Sequence, residues 1–584
     1  MPAGTSNETG GSRPVAAATY PWIASYPPGV SWDQEFTARP IYTLLDDAVA
    51  AHAASPFTNF LGRVTTYGEI GEAVSRAAAG LQKIGVGKGS KVGLLLPNSP
   101  TFIIYYFAVL KLGATVVNYN PLYTVDELAF QIRDSETELM VTLDLAVLFE
   151  KLEKLLQSGV LARAVVCSFA SLLPTAKAIL FRMLKGRQLA HVGRSPMAHR
   201  IVLEADLMEN DGRFEPPSID VENDIAVLQY TGGTTGTPKG AMLTHANIYI
   251  NVQQVMAFAP TLEVAKHRVL AILPFFHVFA MTVVLNFGVA KAAEMVIMPR
   301  FVLDEALDLI EETRPTVMPG VPTLFNTMMN HPRFKSLDLS SLRYCLSGGS
   351  ALPLEVKQRF EELTGCKLVE GYGLSETSPV VTANPLEGAE KPGSIGLPVP
   401  GTIVSLRALT DPTREVPLGE RGEVCVRGPQ VMKGYWRNPE ETASQFIDGY
   451  LRTGDVGVMD EDGYFYIVDR IKDLIICSGF NVYPRRIEEA LFEHPAVEDA
   501  SVIGIEDPHR GEAPKAFIKL KDGMTATEAE IFAHLESKLS RIELPAAIEF
   551  RDGLPKTLIG KPSRRALKRE EGERRESKEE AQGA

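Results

Sequence analysis

From Lys91 to Leu143 short apolar runs alternate with segments of helical length, and this alternation limits the fold more than any other feature. KVGLLL (91–96) stops at a Pro97-Asn98 turn, SPTFIIYYFAVLKLG is long enough for a helix, ATVVNYN is again strand-like, VDELAFQIRDS helical and ELMVTL extended. That order reads as βαβ units feeding a parallel sheet. The texture returns in IAVLQY (225–230), VLAILP (269–274), AEMVIMP (293–299), RYCLSGG (343–349) and KLVEGYG (367–373). After Gly393 short strands with Gly and Pro turns run to Trp436, a small barrel-like region, and from about Asp469 a smaller α+β unit begins. The expected fold class is α/β, with a large N-terminal domain at 20–469 and a small C-terminal domain at 470–565. A chain of 584 residues is too long for one core. MPAGTSNETGGSRP has no apolar stretch, so 1–19 is expected to be a disordered tail, not a signal peptide, and 566–584 a solvated charged tail.

Composition removes several function classes. The net charge of −13 disfavours nucleic acid as a partner. The five cysteines are scattered, without CxxC spacing, which argues for a reducing compartment and against disulfides or a zinc site. The longest uncharged apolar run, Phe275 to Ala290, is shorter than a membrane span and contains His277 and Asn286.

YTGGTTGTPKG (230–240) is a poor helix and a poor strand. Its glycines free backbone N–H groups to point into one concavity, its threonines add hydroxyl donors, and Lys239 supplies a positive charge. That suits an anion with many oxygens, such as a nucleotide triphosphate. The common phosphate loop requires Gly-x-x-x-x-Gly-Lys-Ser/Thr, whereas here Lys239 lies between Pro238 and Gly240. A flexible surface loop is the plainer reading, but the stretch follows the carboxyl end of a predicted strand, where ligands of parallel sheets bind.

Other motifs are weak singly. EGYGLSET (370–377) has Glu376 where a dinucleotide fingerprint needs its last glycine. Neither a Gly-x-Ser-x-Gly elbow nor HExxH occurs, leaving hydrolase and metalloprotease readings without support. RTGDVG (452–457) holds Asp455 in a turn, VDRIKDLIICSGFNVYP (468–484) joins the two domains, and LPKTLIGK (554–561) ends in Lys561. Together, and in this order, they are specific. From about Tyr20 to Arg565 the chain resembles the AMP-forming acyl-CoA synthetases of the adenylate-forming superfamily. YPWIASYPPGVSWD, VNYNPLYTVDEL and the insert after Leu161 are most similar to bacterial long-chain fatty acyl-CoA synthetases.

The resemblance implies ATP-dependent activation of a fatty acid to acyl-adenylate and then to acyl-CoA. It assigns ATP and AMP to Thr231, Gly232, Gly233, Thr234, Thr235, Gly236, Thr237 and Lys239, and to Gly371, Tyr372, Gly373, Thr377, Asp455 and Arg470. Within that set Tyr372 stacks on adenine, Asp455 takes the ribose hydroxyls, and Thr231 with Glu376 holds Mg²⁺. Lys561, His277, Glu376 and Lys239 are the expected catalytic residues, Lys561 bridging carboxylate and α-phosphate. The acyl pocket is expected at Phe276, His277, Met281, Gly348 and Gly349. Lys472 is expected to be the hinge of a mobile C-terminal domain, with Gly479 and Phe480 at the coenzyme A tunnel. A homodimer is compatible with this reading. Alternatives are a medium-chain or aryl-CoA ligase, or a catalytically weak membrane-associated acyl-binding protein.

Charge is unevenly spread. Between Lys154 and Leu203 there are eight Lys or Arg and no Asp or Glu. SLLPTAKAILFRMLKGRQLAHV alternates apolar clusters with bases, the pattern of a segment lying on an anionic membrane surface, or of a solvated helix packed by its apolar face. The insert at about 163–203 is therefore the expected contact with the inner face of the cytoplasmic membrane, for an otherwise cytoplasmic enzyme.

Overall fold

The computed structural model describes residues 20–231, 238–478, 480–507, 509–556 and 563–583. Two large sheets carry the N-terminal part. The first has seven strands in the order 201–203, 163–167, 139–143, 91–95, 115–118, 225–231 and 239–244. All neighbours are parallel except the last pair, an antiparallel hairpin in which Thr231 stands opposite Lys239. The second has nine strands, parallel through the six central ones from 367–373 to 56–60 and antiparallel at both edges. The strands expected from apolar periodicity are present, and the helices between them start at ordinary signals. Ser99 accepts the Phe102 amide ahead of Pro100 at the first turn of Pro100–Lys111. Thr66 with Glu69, and Thr124 with Glu127, form capping boxes for Tyr67–Lys83 and Val125–Ser135.

One apolar core joins the two sheets: Val92, Leu94 and Val116 of the first and Val269, Val296 and Val317 of the second belong to the same buried cluster. A five-stranded antiparallel sheet follows, built from 403–407, 422–427, 446–447, 450–459 and 465–470. The C-terminal part has its own five-stranded sheet, whose longest pair is Val497–Asp507 with Gly511–Leu520, and its own apolar cluster around Ile487, Val502 and Ile518.

Two segments differ from, or refine, the reading of the sequence. The expected charged tail is helical over Arg564–Gly583. Leu567 is fully buried, while Glu570 pairs with Arg551 just past the last strand, and Glu571 with Lys515 and Arg574 with Glu549 on the adjoining strands. Tertiary pairing orders a composition that would be solvated alone. The basic insert forms the helix Thr175–Lys185, which buries none of its residues. Phe181 leans on Phe169, but Ile179, Leu180, Met183 and Leu184 are each more than half exposed. Among the described residues no helix is long and apolar enough to cross a membrane.

Candidate active site

A cavity of about 290 Å³ opens where strands of both large sheets end and the five-stranded antiparallel sheet begins. Thr231 and Lys239 reach it from the hairpin at the edge of the first sheet. Gly348 and Gly349 reach it beyond the strand Tyr344–Ser347, and Glu370 to Glu376 line it from the end of Lys367–Gly373. His277 comes from the turn after Arg268–Ala271, and Arg470 with Lys472 from the junction to the C-terminal part. Residues distant in sequence therefore meet at one place.

At the wall nearest the antiparallel sheet, Asp455 faces Arg470 across the ladder between Tyr450–Met459 and Phe465–Arg470. The Tyr372 hydroxyl donates to Asp455 Oδ2 at 2.6 Å, and Arg470 Nε pairs with Asp455 Oδ1 at 2.9 Å. The Asp455 amide is held by Thr453 Oγ1 at 3.0 Å. Burial, and then the Asp455 charge, raise the Tyr372 hydroxyl well above its usual pKa, while Asp455 raises that of Arg470. Lys472 is lowered by burial and then by Arg470. Glu370, at the cavity floor, accepts the Leu352 amide at 3.1 Å, and burial pushes its carboxyl up to about 7.

Elsewhere on the lining, Glu376 sits in the tight turn Ser375–Thr377 and accepts the Tyr435 hydroxyl at 2.8 Å. The Tyr435 ring lies 5.5 Å from Lys239 Nζ, and Lys239 is ion-paired with Glu441. Glu376 and Thr231 offer a carboxylate and a hydroxyl on one cavity, hard oxygens of the kind Mg²⁺ takes, so this pair fits the ion. Close packing explains two glycines. A Cβ on Gly373 would stand 1.9 Å from the Pro379 carbonyl oxygen, and one on Gly348 would stand 3.1 Å from the Phe279 ring.

Not every expected site residue faces this cavity. Phe276 and Met281 do not line it; Met281 is fully buried with its sulfur accepting from Asn118, and Phe279 and Val283 stand on the wall instead. Thr377 is buried, donating its hydroxyl to the Pro379 carbonyl at 2.5 Å, and so holds the turn that presents Glu376. Asp455 lies just behind the wall, its side chain 3% exposed under Tyr372 and Arg470. Phe480 is exposed and does not line the cavity. Gly232, Gly233, Thr234, Thr235, Gly236, Thr237, Gly479 and Lys561 lie outside the described residues. Beyond Lys561, Arg564 is shared by Asp469 at 3.2 Å, Asp473 at 3.1 Å and Glu488 at 2.6 Å. Sequence reasoning missed Tyr435, Glu441 and Glu370. Asn438 before Pro439 marks the start of the helix Pro439–Gln445 and places Glu441 in its first turn, but no periodicity says that this turn meets Lys239.

Residues 45–436 match the AMP-binding enzyme family, and residues 486–561 match the AMP-binding enzyme C-terminal domain. A long-chain-fatty-acid–CoA ligase of Bacillus subtilis is 44% identical over 554 residues, covering 95% of this chain and 98% of the relative. One from Escherichia coli O6:H1 is 37% identical, covering 94% and 98%. The crystal structure of the anthranilate CoA ligase AuaEII in complex with anthranoyl-AMP superposes with a TM-score of 0.79 at 27% identity, covering 92% of this chain and 98% of that one. With the match running through both parts of the chain, this protein belongs to the AMP-binding enzymes, as an adenylate-forming acyl-CoA synthetase.

Proposed function

We propose that this chain is a long-chain fatty acid–CoA ligase: it activates a fatty carboxylate with ATP to acyl-adenylate, then passes the acyl group to coenzyme A with release of AMP. The observation that carries this is the 44% identity, over 95% of the chain, to a relative of that printed activity, together with Thr231, Lys239, Tyr372, Glu376 and Arg470 on a single cavity.

In this reading Lys239 and Thr231 hold the β- and γ-phosphates. Thr231 and Glu376 hold Mg²⁺, which supplies neutralising charge to the phosphates. Tyr372 packs on adenine, and the Asp455–Arg470 pair serves the ribose and α-phosphate. Lys561 bridges the fatty carboxylate and the α-phosphate, fixing attacker and target in line. His277, Phe279, Val283, Gly348 and Gly349 form the acyl side of the cavity. Residues 470–565 act as the lid, turning at Lys472. ATP/pyrophosphate exchange across a series of acids, with and without coenzyme A, tests the assignment. Exchange that rises with chain length and needs no coenzyme A supports it; exchange confined to aryl acids refutes it.

The same reading includes a membrane. A long acyl chain gains about 0.8 kcal/mol per methylene on leaving water, so its enzyme meets it at a bilayer. We assign that contact to Thr175–Lys185, whose exposed Ile179, Leu180, Met183 and Leu184 stand among Lys177, Arg182 and Lys185.

A further inference from the structure

The ion pair between Lys239 and Glu441 joins segments 202 residues apart across the phosphate end of the cavity. Both residues line that cavity, with side-chain exposures of 12% and 31%. The backbone at Glu441 is fixed: its amide donates to Asn438 Oδ1 at 3.2 Å, and its carbonyl accepts from Ser444 Oγ at 2.9 Å. Its carboxylate is thus presented to Lys239 from the first turn of a capped helix.

A carboxylate at this spot is costly for a site that must take a polyphosphate. It repels the incoming anion and already occupies the cation meant for it. It also keeps a largely buried ammonium from standing unpaired, a state that would be strongly unfavourable. A triphosphate has more charge and more oxygens than one carboxylate and displaces it from Lys239. Pyrophosphate, once cut loose from the nucleotide, must hold Lys239 against the same competitor.

We infer that Glu441 is a positioning residue that aims Lys239 in the empty site and competes with pyrophosphate for it, lowering affinity for polyphosphate and hastening pyrophosphate departure. The inference rests on the proposal that Lys239 contacts the phosphates. A purely structural tie between the 239–244 strand and the Pro439–Gln445 helix predicts only losses when Glu441 is changed. Competition predicts a gain, namely tighter pyrophosphate.

The test uses the full-length enzyme with Glu441→Gln, Glu441→Asp and Lys239→Met at fixed free Mg²⁺, reading KM for ATP, kcat and inhibition by inorganic pyrophosphate. Glu441→Gln is expected to lower the pyrophosphate inhibition constant about tenfold, the size of one hydrogen bond to a charged group, with KM for ATP and kcat both falling. Glu441→Asp, which keeps the charge, is expected to return part-way toward wild type and serves if the Gln variant folds poorly. An inhibition constant unchanged or raised in both Glu441 variants overturns the inference. Lys239→Met separates the two layers. If it weakens pyrophosphate while Glu441→Gln fails to strengthen it, the competition is wrong and the phosphate assignment stands. If it leaves pyrophosphate and ATP untouched, the phosphate assignment fails, and the inference with it.

Discussion

The Tyr372 hydroxyl and Asp455 Oδ2 lie 2.6 Å apart although 83 residues separate them, and the bond ties the strand carrying the EGYG turn to the antiparallel sheet beyond it. Arg470 completes the group from the other side of Asp455. Tyr372→Phe leaves a buried carboxylate short of one donor, so a stability loss of about 1–3 kcal/mol is expected, with KM for ATP raised. Urea unfolding of the two proteins checks the first, and ATP-dependent exchange the second. Unchanged unfolding would mean the bond contributes nothing net.

In the proposed mechanism Lys561 serves adenylation alone. Its replacement by alanine is expected to slow adenylation about a hundredfold or more, as for loss of a transition-state donor. Thioester formation from supplied acyl-adenylate should be largely spared. Equal damage to both steps would remove Lys561 from its assigned place.

Glu370 gives a pH dependence with a definite sign. Its folded value of about 7 stands above the ordinary 4.5. A carboxyl raised in the folded state contributes stability that is present in full below pH 4.5 and is lost as pH rises through about 7. The size is on the order of 3 kcal/mol at most. Glu370→Gln should therefore flatten the fall of melting temperature between pH 4.5 and about 7. Identical profiles for the two proteins would show that Glu370 is ionised in the fold at no cost.

The exposed face of Thr175–Lys185 is expected to bind anionic vesicles reversibly. Each base near the surface adds about 1 kcal/mol, fading within a Debye length. Replacing Arg182, Lys185 and Arg187 with Gln should release the protein in co-sedimentation, while turnover of a detergent-solubilised acid stays near wild type. Binding that ignores both the substitutions and salt would mean the helix plays no part in it.

Much of the fold is legible in the sequence. Continuous apolar runs of strand length mark the sheet strands, because buried parallel strands are apolar throughout, and Thr231, Glu376 and Arg470 all stand on the cavity. What escaped had no local signal. Met281 belongs to an apolar run whose residues all look like lining, and only packing decides that Phe279 and Val283 face the cavity while Met281 turns to Asn118. Glu441 is one of two adjacent acids in NPEET until the hairpin brings Lys239 against it. The charged C-terminal segment looks solvated because its partners, Lys515, Glu549 and Arg551, lie outside it, and only the fold brings them alongside.

The cavity's two sides have different parentage. Thr231 and Lys239 hang from the seven-stranded sheet, whereas His277, Phe279, Val283, Gly348 and Gly349 follow strands of the nine-stranded one. Under the proposed assignment, a lineage of such chains can alter the acyl it accepts by editing loops of one sheet while inheriting its phosphate chemistry intact from the other. The strand Lys367–Gly373 is the exception, since its end at Glu370 to Glu376 serves both sides. A change of diet written there would be charged against turnover, so variation among related enzymes should gather at 277–283 and 346–349 and thin out across 370–376.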